Sequence, residues 1–292
     1  MKTIMVATDF SERSDRALRR ATLLARQTDA QLLLVHVVDD DRAMRIVEAE
    51  REAALRLLAE QSETLLRLDS VACETRVVLA SPFSGIVQAS EEDAPDLLVL
   101  GPHRRQVLRD AFVGTTAERA IRSVACPVLM ANAPPVGPYR GILLATDLSD
   151  ASRKALEIYR SLGLGGHARL AALAVFDVPE LDIAMDGLPD RSEGERSCLE
   201  RERAEARGRL TAFFGDLGIT PTEYVVRHDA TGAAEEILSE ARKEAAGLVV
   251  VGTRGRGSLA KFILGSVAEE VLRNATMDVL AIPPGPVGQD VD

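Results

Sequence analysis

The stretch GTRGRGSLAKFILGS, residues 252–266, decides how this chain folds. It follows the apolar run GLVVVG, which is typical of a buried parallel strand. Gly252 and Gly255 stand three residues apart just past that run. Ser266 and Glu269 have the spacing of a capping box, which predicts that a helix starts at Ser266. A buried strand, a glycine-rich loop and a helix in this order favour an α/β fold.

The same stretch has the composition of a phosphate-binding loop. Glycines present backbone N–H donors with no Cβ in the way, and a helix N-terminus adds partial positive charge. Arg254, Arg256 and Lys261 add cations for phosphate oxygens. The alternative is a mobile loop followed by a well-capped helix, which a glycine-rich loop alone does not exclude. The flanking strand and helix favour phosphate binding.

The spacing of the glycines resembles that of a known family. Gly252-x2-Gly255-x9-Gly265-Ser266 matches the G-x2-G-x9-G-[ST] signature of the ATP-binding universal stress proteins. The loop has neither the Gly-Lys-[ST] of a P-loop nor the spacing of a Rossmann fingerprint. The resemblance therefore implies an adenine nucleotide as the ligand.

Composition narrows the class of protein. A chain of 292 residues, 46% hydrophobic and 27% charged, can form two globular domains with buried cores. A formal net charge of −10 argues against nucleic acid or an anionic membrane as the partner. The three cysteines, Cys73, Cys126 and Cys198, have no metal or redox spacing. The chain starts without a signal-like segment, and no apolar run has membrane-spanning length, so we expect a cytoplasmic protein.

The chain contains an internal repeat. GILLATD, ending at Asp147, echoes MVATD, ending at Asp9, and Gly252 and Gly265 echo Gly101 and Gly114. Each copy reads as five strands alternating with four helices, which predicts a parallel sheet covered on both faces. The second copy carries 13 more residues, between its second and third strands. A proline-rich segment, NAPPVGP, links the copies.

We therefore predict an α/β fold of two tandem repeats, each an open five-stranded parallel sheet with helices on both faces, Rossmann-like and nucleotide-binding. The repeats span residues 1–134 and 139–285. The resemblance now covers nearly the whole chain, which looks like a tandem universal stress protein. It implies that the fifth strands, residues 126–131 and 276–282, pair across a pseudo-twofold axis. A homodimer stays open as a further association.

The second repeat keeps the family pattern, and ligands of such sheets bind beyond the carboxyl ends of the strands. By the resemblance, Ala145 and Asp147 lie near the adenine and ribose, and Val175 meets the adenine through its backbone. The alternative for Asp147 is a carboxylate at a turn or helix start. The implied ligands of the ribose and phosphates are Gly252, Thr253, Arg254, Gly255, Gly265, Ser266 and Val267.

The first repeat departs from the pattern. Arg104 replaces the second glycine, and Pro102 removes a backbone donor. We hypothesise that His103, Arg104, Arg105 and Thr115 form a secondary anion site. A degenerate, purely structural copy and a solvated basic loop are the alternatives.

The leading function is an ATP-binding, nucleotide-dependent regulator of a bacterial-type stress response, with an unknown protein partner. The ligand is ATP, with Mg2+ or another divalent ion left open, and we identify no metal ligands. The sequence indicates no catalytic residue and no general base, so we expect at most weak ATP hydrolysis. The alternatives are a slow ATPase or adenylate-transferring enzyme, and an interaction module without nucleotide.

Overall fold

In the computed structural model, which describes residues 1–102, 116–176, 193–255 and 264–284, strands and helices alternate through both halves. The first half holds β1 (Thr3–Thr8), α1 (Glu12–Thr28), β2 (Gln31–Val38), α2 (Met44–Asp69), β3 (Cys73–Leu79), α3 (Pro82–Asp93), β4 (Leu97–Leu100), α4 (Thr116–Ser123) and β5 (Val128–Met130). The second half holds β6 (Gly141–Thr146), α5 (Asp150–Leu162), β7 (Arg169–Phe176), α6 (Glu193–Leu217), β8 (Glu223–His228), α7 (Ala233–Lys243), β9 (Leu248–Gly252), α8 (Ser266–Asn274) and β10 (Asp278–Ile282).

Several residues of the sequence hypotheses lie outside the described ranges. They are His103, Arg104, Arg105, Gly114, Thr115, Arg256 and Lys261. The anion site predicted for the first repeat therefore stays a prediction.

All ten strands form one sheet, in the order β3-β2-β1-β4-β5-β10-β9-β6-β7-β8. Neighbouring strands are parallel within each half. The exception is the pair β5–β10, which is antiparallel, with Leu129 opposite Leu280. The predicted α/β fold with two parallel five-stranded units is confirmed. The fifth strands meet as the resemblance implies, and they join the two units into a single sheet.

Helices cover both faces of this sheet. One buried cluster joins α1, α2, α5 and α6 to one face, with Phe214 and Leu34 fully buried in it. A second cluster joins α3, α4, α7 and α8 to the other face, around Met5 and Leu98. The strands are apolar on both sides because both faces are covered, which is why the sequence shows continuous apolar runs in place of alternation.

Equivalent serines, Ser11 and Ser149, cap the first helix of each half. The Ser11 hydroxyl accepts the N–H of Ser14, and the Ser149 hydroxyl accepts the N–H of Ser152. These caps fix where the chain turns from the first strand into its helix. They also place the preceding carboxylates at the carboxyl edge of the sheet.

The predicted capping box at Ser266 is wrong. Gly265 is the N-cap of α8, Ser266 is the first helical residue, and the cap makes no side-chain hydrogen bond. The Glu269 carboxylate instead accepts from Arg122, at 3.0 Å, and from Arg273, at 2.7 Å. Two guanidinium groups are stronger partners for a carboxylate than one backbone N–H.

A buried charge network lies beside the β5–β10 pair. The side chain of Asp278 is fully buried and accepts the Arg20 Nε at 2.8 Å and the Tyr139 hydroxyl at 2.7 Å. The Ala133 N–H donates to the other carboxylate oxygen at 2.9 Å. Arg20 also donates to the Gly137 carbonyl at 2.8 Å. The network therefore ties helix α1, the linker and the last strand together.

Burial raises the pKa of Asp278, and hydrogen bonds from Tyr139 and Ala133 and the charge of Arg20 oppose that rise. Burial also raises the pKa of the Tyr139 hydroxyl well above its usual value, and the charge of Asp278 adds to the effect. In this network a neutral tyrosine and an arginine both donate hydrogen bonds to a carboxylate that is buried away from water. Its stability depends on every partner staying in place.

Replacing Arg20 by alanine should destabilise the protein strongly. The change leaves the Asp278 carboxylate buried without its cation, a loss of about 3–5 kcal/mol for a broken buried pair. Urea unfolding at neutral pH measures it. Arg19→Ala is the matched control, because Arg19 pairs with Asp15 at 2.9 Å on the surface of the same helix and should matter little.

The loss in Arg20→Ala should depend on pH. Without the cation, the folded-state pKa of Asp278 rises further above its unfolded value, so stability falls as pH rises and returns as the carboxyl is protonated. The difference from the parent protein should therefore be smaller at roughly pH 5 than at roughly pH 8. An equal loss in the Arg19 control, or no pH dependence, would contradict this account of the network.

Candidate functional site

A ligand-sized crevice of the second half lies beyond the carboxyl ends of β6, β7 and β9. Strand β6 has β7 on one side and β9 on the other, so the chain leaves β6 at the switch point where α/β sheets bind ligands. The cavity has a volume of about 460 Å³, within the range of small-molecule sites. Helix α8 starts at its rim.

The cavity brings together nine of the ten residues that the resemblance implied. These are Ala145, Asp147, Val175, Gly252, Arg254, Gly255, Gly265, Ser266 and Val267. Thr253 does not line it and is 6% exposed. Its N–H donates to the Ile282 carbonyl at 2.9 Å, and its carbonyl accepts the Gly265 N–H at 2.8 Å. Thr253 therefore holds the two ends of the loop together.

Sequence reasoning missed most of the apolar wall. Leu173, Ala233, Ile237, Val251, Leu264 and Ala268 line the cavity, together with the hydroxyl residues Thr146 and Ser152. Except for Leu264, which precedes α8, these apolar residues belong to strands and helices whose periodicity indicates only burial. No local pattern distinguishes a residue that faces a cavity from one that faces the core. The wall offers a flat apolar group a place to pack.

The Asp147 carboxylate has two roles. One oxygen accepts the N–H of Ser149 at 3.0 Å and its hydroxyl at 2.6 Å, and it also accepts the Ser152 hydroxyl. This is the turn-and-helix-start role that was the alternative for Asp147 in the sequence. The same side chain lines the cavity. The serines thus hold the carboxylate in a fixed orientation at the mouth of the crevice.

Gly255 is required by a close approach and not by an unusual backbone angle. Its φ is not positive, unlike that of Gly163 or Gly218. A Cβ at this position would stand 2.9 Å from the second carboxylate oxygen, Oδ2, of Asp147. Gly252 has more room, since its Cβ would meet nothing closer than 3.4 Å. Of these two glycines, Gly255 is therefore the one at which the loop packs against the Asp147 carboxylate.

The N-terminus of α8 presents backbone donors at the cavity. The first intrahelical bond shown there runs from the Glu269 N–H to the Gly265 carbonyl, so the N–H groups of Ser266 and Val267 have no acceptor within the helix. Both residues are exposed and line the cavity. An anion placed here would meet free N–H groups and the positive end of the helix dipole.

The corresponding crevice of the first half is smaller, at about 300 Å³. The Arg13 guanidinium stands 3.8 Å from the Asp9 carboxylate within it. Burial tends to raise the pKa of Asp9, but hydrogen bonds from Ser11 and Ser14 and the charge of Arg13 outweigh it, so that the pKa is lowered. Pro102 lines this crevice and has no N–H to offer.

Among the described residues, no group of three or more His, Cys, Asp or Glu side chains is placed to hold a metal ion. His36, a strand-end histidine, has its Nδ1 2.8 Å from the Thr8 carbonyl and its ring against Phe10. No helix in the described ranges is both long enough and apolar enough to cross a membrane.

Gly255→Ala should lower the stability of the unliganded protein, because the new methyl group displaces the Asp147 carboxylate from its serine partners. A double-mutant cycle with Asp147→Ala, followed by urea unfolding, should give a coupling energy of about 1 kcal/mol. In the Asp147→Ala background the alanine at 255 should cost little. Gly252→Ala is the control and should show no coupling. If the losses of unfolding free energy in the two single variants simply add in the double variant, Gly255 and Asp147 are not in contact.

Comparison with known proteins agrees with the geometry. The model of the universal stress protein family matches this chain twice, over residues 1–132 and 138–283. A universal stress protein of Methanocaldococcus jannaschii is 31% identical over 146 residues, which cover 49% of this chain and 82% of the relative. A solved structure of a protein of unknown function from Pseudomonas aeruginosa has a TM-score of 0.70 at 23% identity and covers 97% of this chain and 93% of its own.

One solved family member is described as a universal stress protein in complex with cAMP. It is 22% identical, covers 44% of this chain and 95% of its own, and has a TM-score of 0.37. The family assignment itself rests on the two matches of the family model, which together span nearly all of the sequence. This chain belongs to the universal stress protein family and contains the family's domain twice.

Proposed function

We propose that this protein is an ATP-binding universal stress protein, a nucleotide-dependent regulator whose site is the crevice of the second repeat. The observation that carries the proposal is one juxtaposition. An apolar slot, a fixed carboxylate and an open helix N-terminus face the same cavity of about 460 Å³. An adenine nucleotide has an apolar planar base, a hydroxyl-bearing sugar and an anionic tail in the same order.

Each part of the cavity suits one part of the nucleotide. The wall that includes Val175 and Ile237 suits the base, since adenine sites are largely apolar. The Asp147 carboxylate suits ribose hydroxyls, which donate to an acceptor already held in place by Ser149. The N–H groups at Ser266 and Val267 suit the phosphates, with Arg254 at the same rim. Thr253 contributes through the shape of the loop and not by direct contact.

The wider proposal follows from the same site. Residues 1–134 and 139–285 act as two units, of which only the second binds ATP in the family manner. A divalent ion, Mg2+ or another, would accompany the phosphates and not a protein cluster, because metals in nucleotide sites are held largely by phosphate oxygens. We place the protein in the cytoplasm, where ATP is available. Binding would change a surface read by a protein partner.

A slow ATPase or adenylate-transferring enzyme is the second candidate. Hydrolysis needs a base that orients a water. Among the cavity-lining residues that the structure describes, Asp147 is the carboxylate, and it is occupied by Ser149 and Ser152. That arrangement favours binding over turnover. Following product over time at stoichiometric protein separates the two, because a binding protein gives no accumulation beyond the spontaneous rate.

Gly255→Arg should abolish most ATP binding, because it places in the second repeat the arginine found at position 104 of the first. Asp147→Ala should weaken binding by about tenfold, the value of one or two lost hydrogen bonds. Isothermal titration with ATP measures both, and mass spectrometry of ligands released from the denatured parent protein identifies the natural occupant.

Asp9→Ala, the same change in the first repeat, is the matched control and should leave the affinity for ATP unchanged. ATP binding by Gly255→Arg with the parent's affinity would show that this loop does not hold the phosphates. A purified parent protein that neither retains nor binds an adenine nucleotide would favour the interaction module without nucleotide.

A further inference from the structure

A groove on the outer surface of the first repeat has no described occupant. It runs between α1 and α2, has a volume of about 540 Å³, and reaches Pro135 of the linker at one end. Leu18 and Leu65 form a buried floor, and Leu57 stands on the wall, 44% exposed. The groove lies on the helix layer opposite α3 and α4, so it is separate from both strand-end crevices.

In the second repeat, the corresponding space between α5 and α6 is occupied by side chains of those two helices. Helices α2 and α6 end alike, at a left-handed cap (Ser70, Gly218) followed by a buried apolar residue. The two caps are 148 residues apart, and the same offset makes Phe213 the equivalent of Leu65. The serine caps of α1 and α5, 138 residues apart, pair Asp15 with Arg153.

In the second repeat these positions form a packed cation–aromatic contact. The Arg153 guanidinium lies 4.6 Å from the centre of the Phe213 ring, and Phe213 is 6% exposed. Two turns further along α5, Arg160 donates to the Leu217 carbonyl at 2.6 Å. Two arginines thus bridge α5 and α6. The first repeat has Asp15 and Thr22 in their places, so both bridging cations are missing from its groove.

The open groove is acidic and has an unused acceptor. Asp15, Glu60 and Asp69 line it, and Arg19 is the cation among its lining residues. Asp15 pairs with Arg19 along the helix, and Asp69 lies 3.6 Å from Arg26, contacts of little strength at a surface. The side-chain oxygen of Gln61 is buried with no hydrogen-bond donor among the described residues.

We propose that this groove binds a basic, arginine-bearing helical segment of a partner protein. A guanidinium adds positive charge to a groove that three carboxylates and one arginine line, and its N–H groups donate to those carboxylates. The apolar part of the segment packs on Leu57 and on the exposed Ile46 and Leu68, which follow at intervals of three helical turns along α2. The partner thereby supplies what Arg153 and Phe213 supply internally in the second repeat.

Charge favours this occupant over the segment 285–292 of this chain and over a second copy. Residues 285–292, GPVGQDVD, contain two carboxylates and no cation. A second copy of the chain is disfavoured at long range, because both copies carry a formal net charge of −10. A basic segment is attracted by that charge, and the groove then fixes its register. The proposal does not depend on nucleotide binding.

The test uses the full chain and a labelled amphipathic peptide of about 24 residues, long enough as a helix to span Ile46 to Leu68, with leucine and arginine at helical spacing. Fluorescence anisotropy at about 0.15 M salt measures binding under screened conditions. Amide shifts in the nuclear magnetic resonance spectrum locate it. We expect saturable binding with shifts at Leu57, Gln61 and Leu18, and about tenfold weaker binding of a peptide with glutamine at each arginine.

Two variants and one control address the groove. Asp15→Arg combined with Leu65→Phe reproduces the contact of the second repeat and should weaken the peptide at least about tenfold while the protein stays folded. Glu60→Lys, on an exposed position, should weaken it by about fivefold with no packing change. Glu157→Lys makes the same charge change on the equivalent, filled face of α5 and should change the affinity by less than about twofold.

Equal weakening by Glu157→Lys and Glu60→Lys would mean that the peptide responds only to net charge, which would overturn the proposal. Amide shifts confined to other surfaces would overturn it as well. A concentration-dependent dimer in sedimentation, lost in the Asp15→Arg and Leu65→Phe variant, would assign the groove to a second copy of the chain.

Discussion

The antiparallel pairing of β5 with β10 is the interaction on which the rest of the structure depends. Each five-stranded unit would otherwise present a buried-type strand, with apolar residues such as Leu129 and Leu280, as an open edge. Pairing these edges satisfies their backbone groups and continues both helix layers across the joint. Because equivalent strands meet antiparallel, the repeats are related by an approximate twofold axis, and each strand-end crevice lies in its own half of the sheet.

The joint is not symmetric, and the asymmetry comes from one carboxylate. Asp278 is the first residue of the last strand of the second repeat. Pro127 stands at the matching position of the first repeat, and Ile158 matches Arg20. A symmetric pair of repeats would bury two such ion pairs. This chain buries one, and the linker carbonyl of Gly137 takes part in it. A buried ion pair adds little net stability but penalises every arrangement that separates its members. The network therefore specifies how the linker packs between the halves.

The sequence was sufficient for the fold, because strand runs, helix caps and the repeat are local signals. The family resemblance also named most of the residues that line the candidate cavity, and they come together because a strand end and the glycine loop fall at one edge of a parallel sheet. It failed where the answer depends on a distant partner. Glu269 turns to Arg122, 147 residues away, and the buried partners Arg20 and Asp278 are 258 residues apart. The sequence also did not predict that Thr253 is buried and does not line the cavity, because residue spacing does not specify the side on which each loop residue lies.

The two repeats together indicate that the second loop glycine and the carboxylate at the end of the first strand form one constraint. In the second repeat, the Asp147 oxygen occupies the space that a side chain at Gly255 would need. In the first repeat the sequence has Arg104 at that position, and the Asp9 side chain is 64% exposed and turned to Arg13. Asp9 still lines the first crevice and accepts the Ser11 N–H at 3.0 Å, but its other oxygen faces Arg13. The two carboxylates therefore share the turn at the end of the first strand and differ in their second neighbour, which is Gly255 for Asp147 and the Arg13 guanidinium for Asp9. An arginine on the loop and a carboxylate that faces a cation go together in one repeat, as a loop glycine and a carboxylate close to its backbone do in the other.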